Sequence, residues 1–163
     1  MRLYEAFGGD FLMLVFDRTL EDVELAKKII NEKVKSFEAL TEEELSILER
    51  GTLTINTINR IEATQKEIRE TLNSMFYFVE NFENREWEYG QYFKKEDIDR
   101  IISNNEKLKS AYYTKPDTPS APTANYYFQT INDIEKILYD IKDIISSSVE
   151  NYKICGDAYC GGD

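Results

Sequence analysis

Hydrophobic residues recur along this chain mostly at helical spacing. In five stretches they return every three or four residues, so each stretch places its apolar side chains on one face of a helix. Four of these stretches follow a threonine, which favours the N-cap position. The apolar positions are Val23, Ala26, Ile30 and Val34 after Thr19; Leu45 and Leu48 after Thr41; Ile55, Ile58, Ile61, Ile68, Leu72, Met75 and Val79 after Thr54; Ile98, Ile101, Leu108 and Tyr112 in residues 96–112; and Ile131, Ile134, Ile137, Leu138, Ile141, Ile144, Ile145 and Val149 after Thr130. This pattern predicts a mainly α-helical bundle of four to five helices.

Local signals also predict where the helices begin and end. Thr41 and Glu44 have the spacing of a capping box, in which each side chain bonds the backbone amide of the other residue. Gly51 stands where a left-handed helix terminus is expected, and the third helix is predicted to continue to about Val79. Gln65 interrupts the apolar face of that helix, where it either lies at an edge or fixes the register between packed helices.

The remaining segments divide the chain into three parts. Residues 1–18 form a short apolar N-terminal arm or strand, because the run 11–16 is typical of a buried strand, an interface strand or an extended arm. Residues 19–151 form the predicted helical domain, and three prolines near 115–123 break its helical pattern. Residues 152–163 are rich in glycine, contain two cysteines and are predicted to be a flexible or interface tail.

Two apolar segments exceed what one small helical core is expected to bury. The last helix has an apolar stripe wider than a heptad seam, which implies burial on two sides, one of them against a partner. The N-terminal run is the second segment, and an apolar surface without a partner marks an interface. The aromatic segment 80–93 either clasps the helices or binds a sugar or peptide. The candidate interface residues are Phe11, Leu12, Leu14, Phe16, Trp87, Ile134, Ile137, Ile141 and Ile145.

The chain carries 31 acidic and 20 basic side chains, a formal net charge of −11. Direct nucleic-acid binding is disfavoured, because phosphate contacts need clustered lysine and arginine. An acidic surface either keeps the protein in solution or imitates nucleic acid and blocks a basic groove on another protein. No run approaches the roughly 20 apolar residues of a membrane span, and Glu5 lies where a signal peptide should be basic. We expect no membrane contact and synthesis in a cytoplasm.

The composition offers little material for catalysis. The sequence contains no histidine, which removes the commonest general base and the commonest transition-metal ligand. It also lacks a glycine-rich phosphate loop and a dinucleotide-binding fingerprint. The candidate thiols, Cys155 and Cys160, are free in the tail, form a disulfide within or between chains, or share a metal in an oligomer. We predict no catalytic residues, no cofactor and no metal site, and therefore a protein that is not an enzyme.

Several short motifs occur in an order that resembles a known group of proteins. Residues 16–23 read FDRTLEDV, residues 40–44 read LTEEE, and residues 51–62 read GTLTINTINRIE. An aromatic region around Trp87, a proline-containing loop and the run NDIEKIL at 132–138 follow. In this order the motifs resemble small helical proteins and modules encoded among the tail and baseplate genes of phages and prophages of Gram-positive bacteria. Where that group has a tryptophan-rich turn between its first two helices, this chain has KVKSF.

The resemblance implies a virion structural or tail-accessory role without enzymatic activity. The implied partners are further copies of this chain or another phage tail protein, and the implied location is the virion, after synthesis in the bacterial host. A rival hypothesis follows from the small size and the net charge. In that hypothesis the chain is an acidic phage-encoded inhibitor that binds a host nuclease or another defence protein.

Overall fold

A computed structural model of the protein describes residues 14–36, 39–120, 122 and 127–157. The described residues form five α-helices and one short 3₁₀ turn and contain no β-strand, so the predicted helical fold class is confirmed. Phe11, Leu12 and Cys160 lie outside the described residues. The helices are α1 (Leu20–Glu32), α2 (Glu42–Gly51), α3 (Ile55–Ser74), α4 (Lys95–Ala111) and α5 (Phe128–Asp157), and the 3₁₀ turn is Val34–Ser36.

Three of the four predicted threonine caps are confirmed. Thr19, Thr41 and Thr54 each have extended backbone angles and accept a hydrogen bond from the amide three residues on. The box between Thr41 and Glu44 is complete, because the Glu44 carboxylate accepts from the Thr41 amide at 3.0 Å. Thr130 is not a cap. Helix α5 starts two residues earlier, and the Thr130 amide already donates to the carbonyl of Tyr127 at 3.0 Å.

Two predicted helix ends are wrong. Helix α3 ends at Ser74 rather than near Val79, because Phe76 takes a left-handed φ of 65° that stops the helix. Val79 is nevertheless buried, since the chain turns back onto the bundle there. Helix α5 continues to Asp157, whereas the predicted helical domain ended at residue 151. The stretch Tyr-Lys-Ile-Cys at 152–155 contains neither glycine nor proline to stop it.

Helices α3, α4 and α5 run parallel to one another. Arg60 of α3 bonds Glu135 of α5 at 2.9 Å, and seven residues further on Glu67 bonds Lys142 at 2.9 Å. Helix α4 has the same direction, because Arg100 in its first half bonds Glu62 of α3, whereas Tyr112, just after its last residue, contacts Ser148 in the second half of α5. The carboxyl ends of the three helices therefore point the same way.

Parallel neighbours require long connections that return along the bundle. The segment after α3 retraces that helix, as successive contacts run backwards along it: Phe82 to Arg69, Asn84 to Glu62, and Trp87 to Asn59. The proline-containing segment makes the second return, before α5. The aromatic segment is thus an ordered strap across the bundle, as one of the two sequence hypotheses predicted.

Helices α1 and α2 form a separate antiparallel hairpin. Asp22 near the start of α1 pairs with Arg50 at the end of α2, and Lys33 after α1 pairs with Glu44 at the start of α2. Gly51 lies in the last turn of α2 and does not take a left-handed conformation, so that prediction is wrong. A Cβ at Gly51 would lie 2.8 Å from the carbonyl carbon of Asp22. The glycine therefore serves close contact between the two helices.

The hydrophobic core lies between the three parallel helices and the strap. The wide apolar stripe of α5 is buried in this core, where Ile134, Ile137, Ile141 and Ile145 are 0–1% exposed. Helix α3, helix α4 and the returning segments pack on three sides of α5. Contacts within one chain therefore cover the whole apolar stripe, and no partner protein is needed to bury it. Within the described residues, none of the helices combines the length and apolar content needed to cross a bilayer.

Candidate interaction site

The α1–α2 hairpin leaves most of its apolar side chains unburied. Helix α1 buries Ala26 alone, and α2 buries no residue. Leu45 is 52% exposed although it lies on the predicted apolar stripe of α2. An amphipathic helix normally covers that stripe. The other exposed large hydrophobic residues on or beside the hairpin are Leu20, Leu25, Val34 and Leu53.

An open groove of about 890 Å³ runs between this hairpin and the start of α3. Its walls are mainly apolar: Ile30 and Val34 come from the α1 side, Leu45 and Leu48 from α2, and Ile55 from α3. Tyr89 of the strap reaches the rim with its side chain fully exposed. We call this surface the hairpin groove. It has the dimensions of a binding cleft and the composition of a protein contact surface.

Charges of opposite sign are exposed on the two helices of the hairpin. Glu42 and Glu43 in the first turn of α2 are exposed, whereas Lys27 and Lys28 are exposed on α1. Glu44 is held in place by Lys33 at 2.5 Å, and this contact, followed by the amide of Thr41, lowers the pKa of the carboxyl. The first turn of α2 therefore stays negative at neutral pH, opposite in sign to the exposed lysines.

The predicted interface residues separate into different environments. Leu14 packs on the core, and Phe16 contacts the ring of Tyr139 with a centroid separation of 4.9 Å, so both are intrachain contacts. Trp87 is 8% exposed. Its indole donates to Glu62 at 3.0 Å and its ring contacts Phe93, which makes it a clasp rather than a docking surface.

The stripe residues Ile134, Ile137, Ile141 and Ile145 lie in the core, so none of them forms the predicted interface. Cys155 lies in the last part of α5. The hairpin groove was missed in the sequence because residues that line it, such as Leu45 and Leu48, were identified only as an apolar helix stripe. Periodicity shows which side chains share a face, but it does not show whether another element covers that face.

One buried carboxylate has the surroundings of a catalytic group. Burial raises the pKa of Glu62, but contacts with Arg100, with the Trp87 indole and with the Arg85 amide outweigh that effect and lower it. The Arg100 guanidinium lies 2.5 Å from the carboxylate and the Arg85 amide lies 2.7 Å from it. A general base needs a free oxygen and a pKa near the working pH. Glu62 therefore fixes the strap to α3 and α4.

Gln65 joins three helices through a buried amide network. Its Nε2 donates to the carbonyl of Ile101 at 2.8 Å and to Oδ1 of Asn105 at 2.7 Å. Asn105 in turn donates to the carbonyl of Ile134 in α5 at 3.1 Å. Of the two roles predicted for Gln65, the structure supports fixing the register, because an axial shift of α4 would break these bonds.

A second polar cluster connects the start of α1 to the bundle. Glu135 is fully buried and bonds Arg18 at 2.5 Å and Arg60 at 2.9 Å, and Arg60 also bonds Glu49 of α2 at 3.2 Å. Arg18 and Glu135 are separated by more than a hundred residues. Sequence spacing therefore gave no signal for this pair.

Among the described residues, no cluster of three or more Cys, Asp or Glu side chains has the arrangement of a metal site. In comparison with known proteins, no family model, no curated protein and no solved structure matches the chain.

Proposed function

We propose that this protein is a structural or tail-accessory component of a phage or prophage virion and that it works by protein–protein assembly rather than catalysis. The carrying observation is the hairpin groove, an apolar surface that the described part of the chain leaves open. The sequence motifs that resemble phage tail and baseplate proteins, and the order in which they occur, support a location in the virion. The first partner we propose is a second copy of this chain, and another tail protein is the alternative occupant.

Charge placement supports a second copy. One hairpin exposes Lys27 and Lys28 on α1 and Glu42 and Glu43 on α2. Two hairpins related by a two-fold axis can place Lys27 and Lys28 of each copy beside Glu42 and Glu43 of the other, since every contact in such an interface occurs twice. The same arrangement covers Leu45 on both copies. A contact of this kind combines an apolar centre with a charged rim.

Sedimentation velocity over a range of concentrations, with Leu45→Glu and Leu25→Glu, tests this proposal. Both leucines are exposed on the hairpin, but only Leu45 lines the groove. We expect the wild type and Leu25→Glu to associate and Leu45→Glu to remain monomeric. A wild-type protein that stays monomeric at high concentration and is absent from purified particles by mass spectrometry would contradict the proposal.

A second candidate function is supported by the strap. Glu80, Glu83, Glu86 and Glu88 are all exposed along this extended segment, whereas Trp87 between them faces inwards. A line of carboxylates on extended backbone resembles the charge of a nucleic-acid strand, and it favours the alternative of an acidic inhibitor of a host nuclease or defence protein. The test is DNA cleavage by purified basic nucleases of the host. Inhibition that weakens with salt and disappears when all four glutamates are replaced by glutamine supports this candidate function. If the wild-type protein does not inhibit cleavage, the candidate function is excluded.

A further inference from the structure

A second cleft, of about 540 Å³, lies at the opposite end of the hairpin, where α1, α2 and the first turn of α5 meet. Three basic residues line it: Arg18, Lys27 and Arg50. None of the described residues that line the cleft is acidic. In a chain with a net charge of −11, a cleft with only basic charged residues in its lining is unexpected.

Arg18 carries unused hydrogen-bonding capacity beside this cleft. Its side chain is 3% exposed, and its Nη1 bonds Glu135 and the carbonyl of Val15. Its Nε and Nη2 have no acceptor, and neither has Nη2 of Arg60, the second guanidinium on Glu135. Buried donors without an acceptor are costly, so a ligand oxygen that accepts from the Arg18 guanidinium would be favoured.

The other groups at the cleft favour the same sign of ligand. The first turn of α5, with Phe128 and Gln129, forms part of the wall, and the amino end of a helix attracts negative charge. Arg50 is shared with Asp17 and Asp22 at 3.2 and 3.3 Å, so it contributes only part of its charge. Lys27 is exposed at the rim of the cleft. Val23 and Leu53 form apolar parts of its wall.

We propose that this cleft binds a small organic anion, in which a phosphate or carboxylate group lies among Arg18, Lys27 and Arg50 and an apolar part lies against Val23 and Leu53. The site is distinct from the hairpin groove and does not depend on self-association. Phosphate and carboxylate ligands offer the same anionic oxygens to these donors. The apolar walls add affinity for a ligand with a short hydrocarbon chain.

The test is a titration of the full-length protein followed by amide NMR, with inorganic phosphate, acetate and butyrate against sodium chloride at equal ionic strength. We expect saturable shifts at residues 50–52 and 128–131, with a Kd on the order of 1 mM or tighter for the preferred anion. Butyrate should bind more tightly than acetate, since the two differ only in apolar length. Preference between phosphate and acetate identifies the head group.

Matched variants separate a built site from general attraction of anions. Lys27→Gln should weaken binding about two- to fivefold, whereas Lys28→Gln, its exposed neighbour outside the cleft, should leave the Kd unchanged. Arg18→Lys keeps the positive charge beside Glu135 but removes the unused donors, and we expect a loss of about tenfold or more.

Three results would overturn the proposal. They are the absence of saturable shifts with all three anions, equal effects of the two lysine variants, and shifts of the same size at the capped amino ends of α1, α2 and α3. Circular dichroism of Arg18→Lys distinguishes lost binding from lost folding. If Arg18→Lys does not fold, the comparison of Lys27→Gln with Lys28→Gln decides between a built site and general attraction.

Discussion

Replacing Gly51 with alanine sets two physical effects of opposite sign against each other. Alanine is favoured over glycine within a helix by about 1 kcal/mol, so helix propensity alone predicts a more stable hairpin. The structure predicts the reverse. A Cβ at this position lies 2.8 Å from the carbonyl carbon of Asp22 and still closer to its oxygen and to the Cβ of Ala26. Carbon atoms normally approach to about 3.5 Å.

The clash involves backbone on one side, so rotating a side chain cannot relieve it. The two helices must therefore move apart at this point, and Ala26 is the only residue of the two helices that is buried. Overpacking of this kind costs about 1–3 kcal/mol. After the gain in helix propensity of about 1 kcal/mol is subtracted, we expect Gly51→Ala to destabilise the hairpin by up to about 2 kcal/mol.

Native-state hydrogen exchange is the appropriate assay, because it measures opening of the hairpin separately from unfolding of the bundle. Amides of α1 and α2 should exchange faster in Gly51→Ala, while those of α3 keep their protection. Ser46→Ala, an exposed change in α2, is the control and should alter protection by less than about 0.5 kcal/mol. Slower exchange in Gly51→Ala would refute the close-packing argument.

Three further substitutions test the polar contacts. Gln65→Leu should lower the free energy of unfolding by about 1–3 kcal/mol for each buried group left without a partner, measured by urea denaturation. Glu62→Gln should be less stable than the wild type at pH 7. The pKa of the Glu62 carboxyl is lowered below its usual 4.5 in the folded state. The stability that this carboxylate contributes is therefore present above pH 4.5 and is lost as the pH falls through the folded-state pKa. The wild type and Glu62→Gln should therefore become equally stable in acid unfolding. Thr41→Ala should cost about 1 kcal/mol in thermal unfolding through loss of the α2 cap.

The fold class was predictable because it depends on local patterns. Thr19, Thr41 and Thr54 cap helices through bonds that span three residues, and a signal of that length is readable in the chain itself. The breaks at the proline segment and at the aromatic segment are local in the same way. The order of helices and loops therefore followed from neighbouring residues alone.

Features that depend on distant packing were not predictable. Residues of α5 such as Ile134 and Ile141 were assigned to an interface because the stripe is wide, but parallel packing of α3, α4 and the strap around α5 covers that width. Conversely, Leu45 was placed on an apolar helix stripe, and no local signal shows that this stripe stays exposed. Gly51 was assigned to a left-handed helix terminus from its position in the sequence. In the structure a glycine is needed there because the backbone of Asp22 in α1 leaves no room for a side chain.

The most direct test of the assembly proposal is hydrogen exchange of the wild-type protein at two concentrations, one below and one above the onset of association. If the hairpin groove is the contact surface, the added protection at high concentration lies around Ile30, Val34 and Leu45, and residues in α3–α5 away from the groove change little. Protection that does not depend on concentration, or that rises on the outer faces of α4 and α5 instead, would contradict assembly through the hairpin groove.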